Sequence, residues 1–145
     1  MEHILLYSIL IPIIAAIMMN GIIYTFGLNK QYDKSIINPY IPPGYVIGTI
    51  WVVILGLLGY SHYLLYKLNN RISFTSLFLI FVILFCISYP LITWLKQKSE
   101  SLLNLITLIL AFILGMLVLI ESKYIFIYII PLIAWTTYIN IVYVM

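Results

Sequence analysis

The sequence predicts an all-α integral membrane bundle of five transmembrane helices, and three observations predict it. Hydrophobic residues make up 65% of the 145-residue chain and charged residues only 8%, with a mean hydropathy of +1.18, whereas soluble domains carry about a quarter charged residues. The apolar residues gather into runs of about 20, the length that crosses a ~30 Å hydrocarbon core. Every Lys and Arg lies outside those runs or at their edges. The net charge of +3 is accounted for by such loop cations, and no basic stripe suggests nucleic acid as a partner. A single domain over residues 1–145 is expected, with helices at about 4–26, 45–66, 74–95, 101–120 and 124–144, and a loop over 27–44.

The first run is read as a retained helix. Met1-Glu2-His3 has no basic n-region, and the apolar run that follows is too long for the h-region of a signal peptide. Ala15, Ala16, Asn20 and Gly21 interrupt its large residues and mark where another helix packs, with Asn20 expected to make an interhelical hydrogen bond. The loop that follows holds Lys30, Tyr32, Asp33, Lys34 and Pro39. Its length and its aromatic and proline content predict an ordered segment folded over one mouth of the bundle.

The second run opens with Pro42 and Pro43 and turns into the helix at Gly44. Proline is tolerated there because the missing N–H would have had no intrahelical partner. At ~100° per residue, Gly44, Gly48, Trp51, Leu55, Leu58, Gly59 and His62 fall on one face. Small residues admit a neighbouring backbone or a flat ligand, and an indole seldom faces lipid tails in mid-helix. His62, near the helix end, is read as an ordinary interfacial histidine.

The third run, interrupted by Ser88, Tyr89 and Pro90, tolerates its proline if neighbouring helices re-satisfy the freed carbonyl. Its Cys86 is the chain's lone cysteine, which allows no intramolecular disulfide and is read as a small packing residue. Trp94, just before Lys96 and Lys98, is read as an interfacial anchor. In the fourth run Ala111 and Gly115 are spaced four apart and suggest helix association, here a homodimer. The fifth run carries the stripe Tyr124, Tyr128, Pro131, Trp135, Tyr138 and Val142. Orientation is not given by charge, since the two sides of a five-span chain carry four and three basic residues.

Conventional catalysis finds no support. No carboxylate lies in a helix interior, and two histidines are too few for a metal cluster. No metal ligands are assigned. The absence of an intramembrane ion pair also argues against an ion-coupled transporter.

Two motifs carry a family resemblance. The string Pro42-Pro43-Gly44-Tyr45-Val46-Ile47-Gly48-Thr49-Ile50-Trp51, followed by Gly59-Tyr60-Ser61, resembles the second-helix signature of the tryptophan-rich sensory protein/translocator protein (TspO/MBR) family. The double proline with a tryptophan nine positions after its first member is the specific part. The segment Pro131-Leu132-Ile133-Ala134-Trp135-Thr136-Thr137-Tyr138 resembles the fifth-helix signature PYLAWVxFA. Counting back from Pro42 puts Tyr40 at the family's loop tryptophan and Tyr32 at its tyrosine. In the third helix an asparagine and a tryptophan of the family are replaced by Cys86 and Tyr89.

The resemblance implies binding of flat amphipathic molecules, tetrapyrroles such as protoporphyrin IX or haem first and sterol-like lipids second, with no required cofactor. Implied ligand contacts are Tyr32, Tyr40, Pro42, Pro43, Gly44, Gly48, Trp51, Leu55, Pro131, Trp135 and Tyr138, with loop lysines for propionates. Some family members are associated with light- or oxygen-dependent porphyrin breakdown involving two tryptophans, whose matches here are Trp51 and Trp135. At 1.5 Å per residue these lie at about 10 Å and 15 Å from the same side of the membrane, so both can line one pocket if helices 2 and 5 are neighbours. The sterol motif of animal members, a basic residue after a tyrosine at the end of the fifth helix, is missing after Tyr143. Leu64, Tyr66 and Arg71 satisfy only its permissive form. The rival reading is a small structural or assembly subunit whose aromatic stripes pack against partner helices and which has no ligand of its own. Transport of the ligand across the bilayer is not separable from binding by sequence.

Overall fold

The computed structural model describes residues 2–26, 40–95 and 100–144. Its helices are α1 (Glu2–Thr25), α2 (Gly44–Asn69), α3 (Phe74–Leu95), α4 (Glu100–Glu121), α5 (Lys123–Phe126) and α6 (Ile130–Val144). Four of them, α1 to α4, are long and apolar enough to cross a membrane, and the apolar α6 is shorter. The chain is an all-α, multi-pass integral membrane protein. Tyr32, Lys30 and Lys34 of the first connection and the side chain of Trp94 lie outside the described residues.

The start of α2 follows from its prolines. Pro43 adopts φ −55°, ψ 148° as the N-cap, and its carbonyl accepts the amides of Val46 and Ile47 at 2.9 and 3.1 Å. The helix runs on to Asn69, where Asn70 ends it in the left-handed region at φ 51°, a conformation asparagine reaches at lower cost than most residues. Asn69 Nδ2 donates to Glu121 Oε2 at 2.8 Å and so ties this end of α2 to the end of α4.

One expectation is corrected in the fifth run, which breaks into α5 and α6 where a single helix over 124–144 was expected. Pro131 has no N–H to offer the carbonyl of Ile127, and its ring crowds that turn. The chain tightens there into i→i+3 bonds instead: Tyr128 N–H donates to Ile125, Ile129 to Phe126 and Leu132 to Ile129, at 2.9 to 3.1 Å. Pro12 and Pro90, by contrast, sit inside continuous helices.

The core is one cluster built mainly from faces of α2 to α6, with Ala16 of α1 joining it. Leu55, Leu58 and Leu65 meet Leu79, Val82 and Cys86 of α3, Ala111, Leu114 and Val118 of α4, and Ile125, Ile129 and Leu132. Burying such side chains is worth roughly 1.5–3 kcal/mol each against water, but between helices already in lipid the gain comes from close packing. From α1 to α5 each helix packs on the next in sequence, α6 packs on α4, and α1 lies against α2 and α3.

Glycine decides two of these contacts. A Cβ on Gly59 would lie 2.1 Å from the backbone oxygen of Ser8, so α1 and α2 touch backbone to backbone there. A Cβ on Gly115 would lie 2.8 Å from Ile133 Cδ1 and 3.2 Å from Phe126 Cε2. The expected homodimer face at Ala111 and Gly115 is therefore corrected. Both residues are buried within the chain, and α5 and α6 already fill the space a second copy would need.

Candidate functional site

Between α2 and α6 the bundle leaves a groove of about 570 Å³. Its α2 wall is Thr49, Ile50, Val53 and Ile54, its α6 wall is Pro131, Ala134, Trp135 and Tyr138, and Pro42 stands at its edge. The only polar side-chain groups these residues bring are two hydroxyls and the indole N–H. The Thr49 hydroxyl is spent on the Tyr45 carbonyl at 2.9 Å. The Tyr138 ring stacks on the Trp135 ring, with centroids 5.7 Å apart and planes 26° apart. Both stacked rings line the groove.

A second, smaller cavity of about 80 Å³ lies on the other side of Trp135. It is lined by Ile47 and Trp51 of α2, Tyr89 of α3, Asn104 and Thr107 of α4, and Trp135, Thr136, Ile139 and Asn140 of α6. Trp135 is the residue common to the two spaces. Volume separates their uses: at ~30 Å³ per water, the inner cavity has room for a few small atoms and none for a macrocycle.

Side-chain amides organise the inner cavity. Tyr89 Oη donates to Asn104 Oδ1 at 2.5 Å. Asn140 Nδ2 donates to the Asn104 carbonyl at 3.0 Å and to the Thr136 carbonyl at 2.8 Å. These bonds link α3, α4 and α6 behind the groove. The hydroxyls of Thr107 and Thr136 are absorbed by carbonyls one turn earlier in their own helices. Two buried donors of the cavity's residues, Asn104 Nδ2 and Trp135 Nε1, have no partner among the described residues. A buried donor without an acceptor costs about 1–3 kcal/mol, so this end of the site favours an acceptor oxygen, from water or from a ligand.

The residues expected from sequence do not all meet in one place. Pro42, Pro131, Trp135 and Tyr138 meet in the groove, and Trp51 meets Trp135 at the inner cavity only. Tyr40 lines neither space, but its carbonyl accepts the Tyr138 hydroxyl at 2.6 Å. Pro43 and Gly44 are exposed at the start of α2. Gly48 and Leu55 lie away from both spaces. A Cβ on Gly48 would meet Asn20 Nδ2 at 3.0 Å, and Leu55 is 2% exposed in the core. The glycine face of α2 thus receives α1 instead of a ligand. Asn20 lies where an interhelical partner was expected, its Nδ2 3.5 Å from the Gly48 carbonyl, and His62 Nδ1 lies 3.3 Å from Ser8 Oγ.

Sequence reasoning missed Asn104 and Asn140. A signal was present, since each is an amide within a long apolar run, and polar groups at membrane depth face the bundle interior and find partners there. It also missed the groove face of α2, on the other side of the helix from Gly48 and Gly59, because Thr49, Ile50 and Val53 carry no distinctive chemistry.

A family model described as TspO/MBR family matches residues 8–144, nearly the whole chain. Neither a curated protein nor a solved structure matches it.

Proposed function

Because this chain belongs to the TspO/MBR family, whose general role is ligand binding or transport in membranes, we propose that it binds flat amphipathic molecules in the groove between α2 and α6. Tetrapyrroles such as protoporphyrin IX or haem are the first class and sterol-like lipids the second. The observation that carries this reading is the stacked Trp135–Tyr138 surface along an apolar groove of about 570 Å³. That volume falls in the 300–1,000 Å³ range of small-molecule sites, which pair apolar walls with a few placed polar groups. A ring system lies on the aromatic surface in the groove. The inner cavity takes at most a small substituent bearing an acceptor, beside the unsatisfied donors of Trp135 and Asn104.

The test is titration of the purified protein with protoporphyrin IX, followed by porphyrin absorbance and by tryptophan fluorescence. Saturable binding with quenching is expected, because the macrocycle lies against Trp135. A strictly linear, unsaturable response overturns the reading and favours the assembly-subunit alternative.

A further inference from the structure

We propose that the groove opens sideways into the hydrocarbon of the bilayer, so that ligands enter it from the membrane in exchange for a lipid acyl chain. The proposal rests on the groove being the ligand site. On α2 the exposed positions Tyr45, Thr49 and Val53 follow one another about one turn apart, and the last two line the groove. On α6 Ile130, Ala134, Tyr138 and Ile141 form the corresponding exposed stripe, and its middle two line the groove. The groove thus lies between two surface stripes and not behind them.

Depth identifies what meets that opening. The bond from Tyr138 to the Tyr40 carbonyl puts the end of α6 beside the start of α2. At 1.5 Å per residue, Val53 lies about 14 Å in from Gly44 and Ala134 about 15 Å in from Val144. Both therefore reach the middle of a ~30 Å hydrocarbon core. Further along, the Tyr60 ring of α2 meets the Tyr128 ring edge-on, with centroids 5.1 Å apart. That contact brings α2 against the segment leading into α6 and ends the groove on the deep side. What remains open at mid-depth faces acyl chains.

The chemistry of the walls agrees with this exposure. Thr49 donates its hydroxyl hydrogen to the Tyr45 carbonyl and Tyr138 to the Tyr40 carbonyl, and Trp135 Nε1 is buried. No side-chain donor is left at the opening to draw a polar molecule out of water. Apolar surface gains little hydrophobic free energy by leaving lipid for an apolar wall. A ring system displaces an acyl chain by stacking on Trp135 and Tyr138, a contact that an aliphatic chain does not make.

The first test needs no added ligand. The purified protein is reconstituted in phosphatidylcholine vesicles whose acyl chains carry bromine, a contact quencher of indole emission, either at mid-chain or near the headgroup. The Trp135 share of the emission is the difference between the parent and Trp135→Phe. Mid-chain bromine should remove most of that share, and more of it than bromine near the headgroup. An unquenched Trp135 overturns the proposal.

The second test follows protoporphyrin IX by stopped-flow quenching in vesicles without bromine. Val53→Phe and Ala134→Phe narrow the opening from its two walls. Ile109→Phe places the same ring at an exposed position of α4 outside the groove. Association and dissociation should both slow several-fold in the two wall variants and stay at the parent's values in Ile109→Phe. Unchanged rates in the wall variants, or faster dissociation alone, which is the usual result of a changed contact, overturn the proposal. Absent porphyrin binding in the parent would remove the ligand reading and leave the bromine result standing, so the two failures are distinguishable.

Discussion

The two sides of α2 are built on opposite plans. Toward α1 it presents Gly48, Gly56 and Gly59, and the places of their missing side chains are taken by Asn20, Ile13 and the Ser8 backbone. Toward α6 it presents Thr49, Ile50 and Val53, and a groove remains. Glycine lets two backbones approach until nothing fits between them, which is where membrane helices gain dispersion energy. Branched side chains hold the backbone of α6 away, and the bulk of Trp135 divides the remaining space into an outer groove and an inner cavity. One helix thus serves as a sealed seam on one side and the wall of an open groove on the other, and the α2 residues that line the groove are not its glycines.

The largest expected effect breaks the sealed side. Gly59→Ala adds a carbon at 2.1 Å from a backbone oxygen that cannot rotate away, so α1 must shift along or off α2. Overpacking of this kind costs about 1–3 kcal/mol, and a backbone clash belongs at the upper end. Thermal unfolding in detergent should show a large loss for Gly59→Ala. Val53→Ala, on the groove side and 56% exposed, should stay within about 0.5 kcal/mol of the parent. Equal losses in the two variants would mean that the two faces of α2 are not packed differently.

The next effect sharpens the comparison on the open side, where the two tryptophans are unequal. Trp135 borders the groove and the inner cavity, and Trp51 borders the inner cavity alone. Aromatic contacts are worth about 0.5–1.5 kcal/mol beyond area burial, so Trp135→Ala should weaken protoporphyrin IX binding about twofold to tenfold. Trp51→Ala should weaken it less. Phenylalanine at either position keeps a surface but not the readily oxidised indole. If the protein also breaks porphyrin down in light, Trp135→Phe and Trp51→Phe should slow pigment loss more than they weaken binding. Titration and bleaching of the same samples check both points. An ordering with Trp51 dominant would move the macrocycle out of the groove.

The sealed and open sides were unequally legible in the sequence. Helices α1 to α4 announce themselves, because polar or proline-rich breaks separate apolar runs of membrane-spanning length. Periodicity also gathered Gly48, Trp51, Leu55 and Gly59 onto one face, but a period states which residues share a face and not which helix covers it. Gly48 and Leu55 were therefore expected at a ligand and are found against α1 and in the core. Pro131 was visible, yet Pro12 and Pro90 lie in unbroken helices, so a proline alone does not say whether a membrane helix will break. The pairing of Trp135 with Tyr138 was readable from their spacing of three, whereas the contact of Tyr138 with Tyr40 joins residues 98 apart, and no local pattern encodes it.

The smallest expected effect asks what holds α6 in place behind the groove. The bond from Tyr89 to Asn104 and that from Asn140 to the Asn104 carbonyl suggest a polar clamp joining α3, α4 and α6. Packing offers another holder, since Gly115 of α4 receives Ile133 of α6 and Phe126 of α5. Interhelical hydrogen bonds within a membrane average only about 0.6 kcal/mol, because the separated helices find other partners for the same groups. A double-mutant cycle with Tyr89→Phe and Asn104→Leu, read by unfolding in mixed micelles, should therefore give a coupling near 0.6 kcal/mol. Leucine also removes the unsatisfied Asn104 Nδ2, which offsets part of the loss in the single variant, so the coupling is a cleaner measure than either single change. A coupling above about 2 kcal/mol would exceed what such bonds yield in a membrane. It would make the Tyr89–Asn104 bond a main tie between α3 and α4 behind the groove, steadying the helix whose Asn104 carbonyl receives Asn140 of α6.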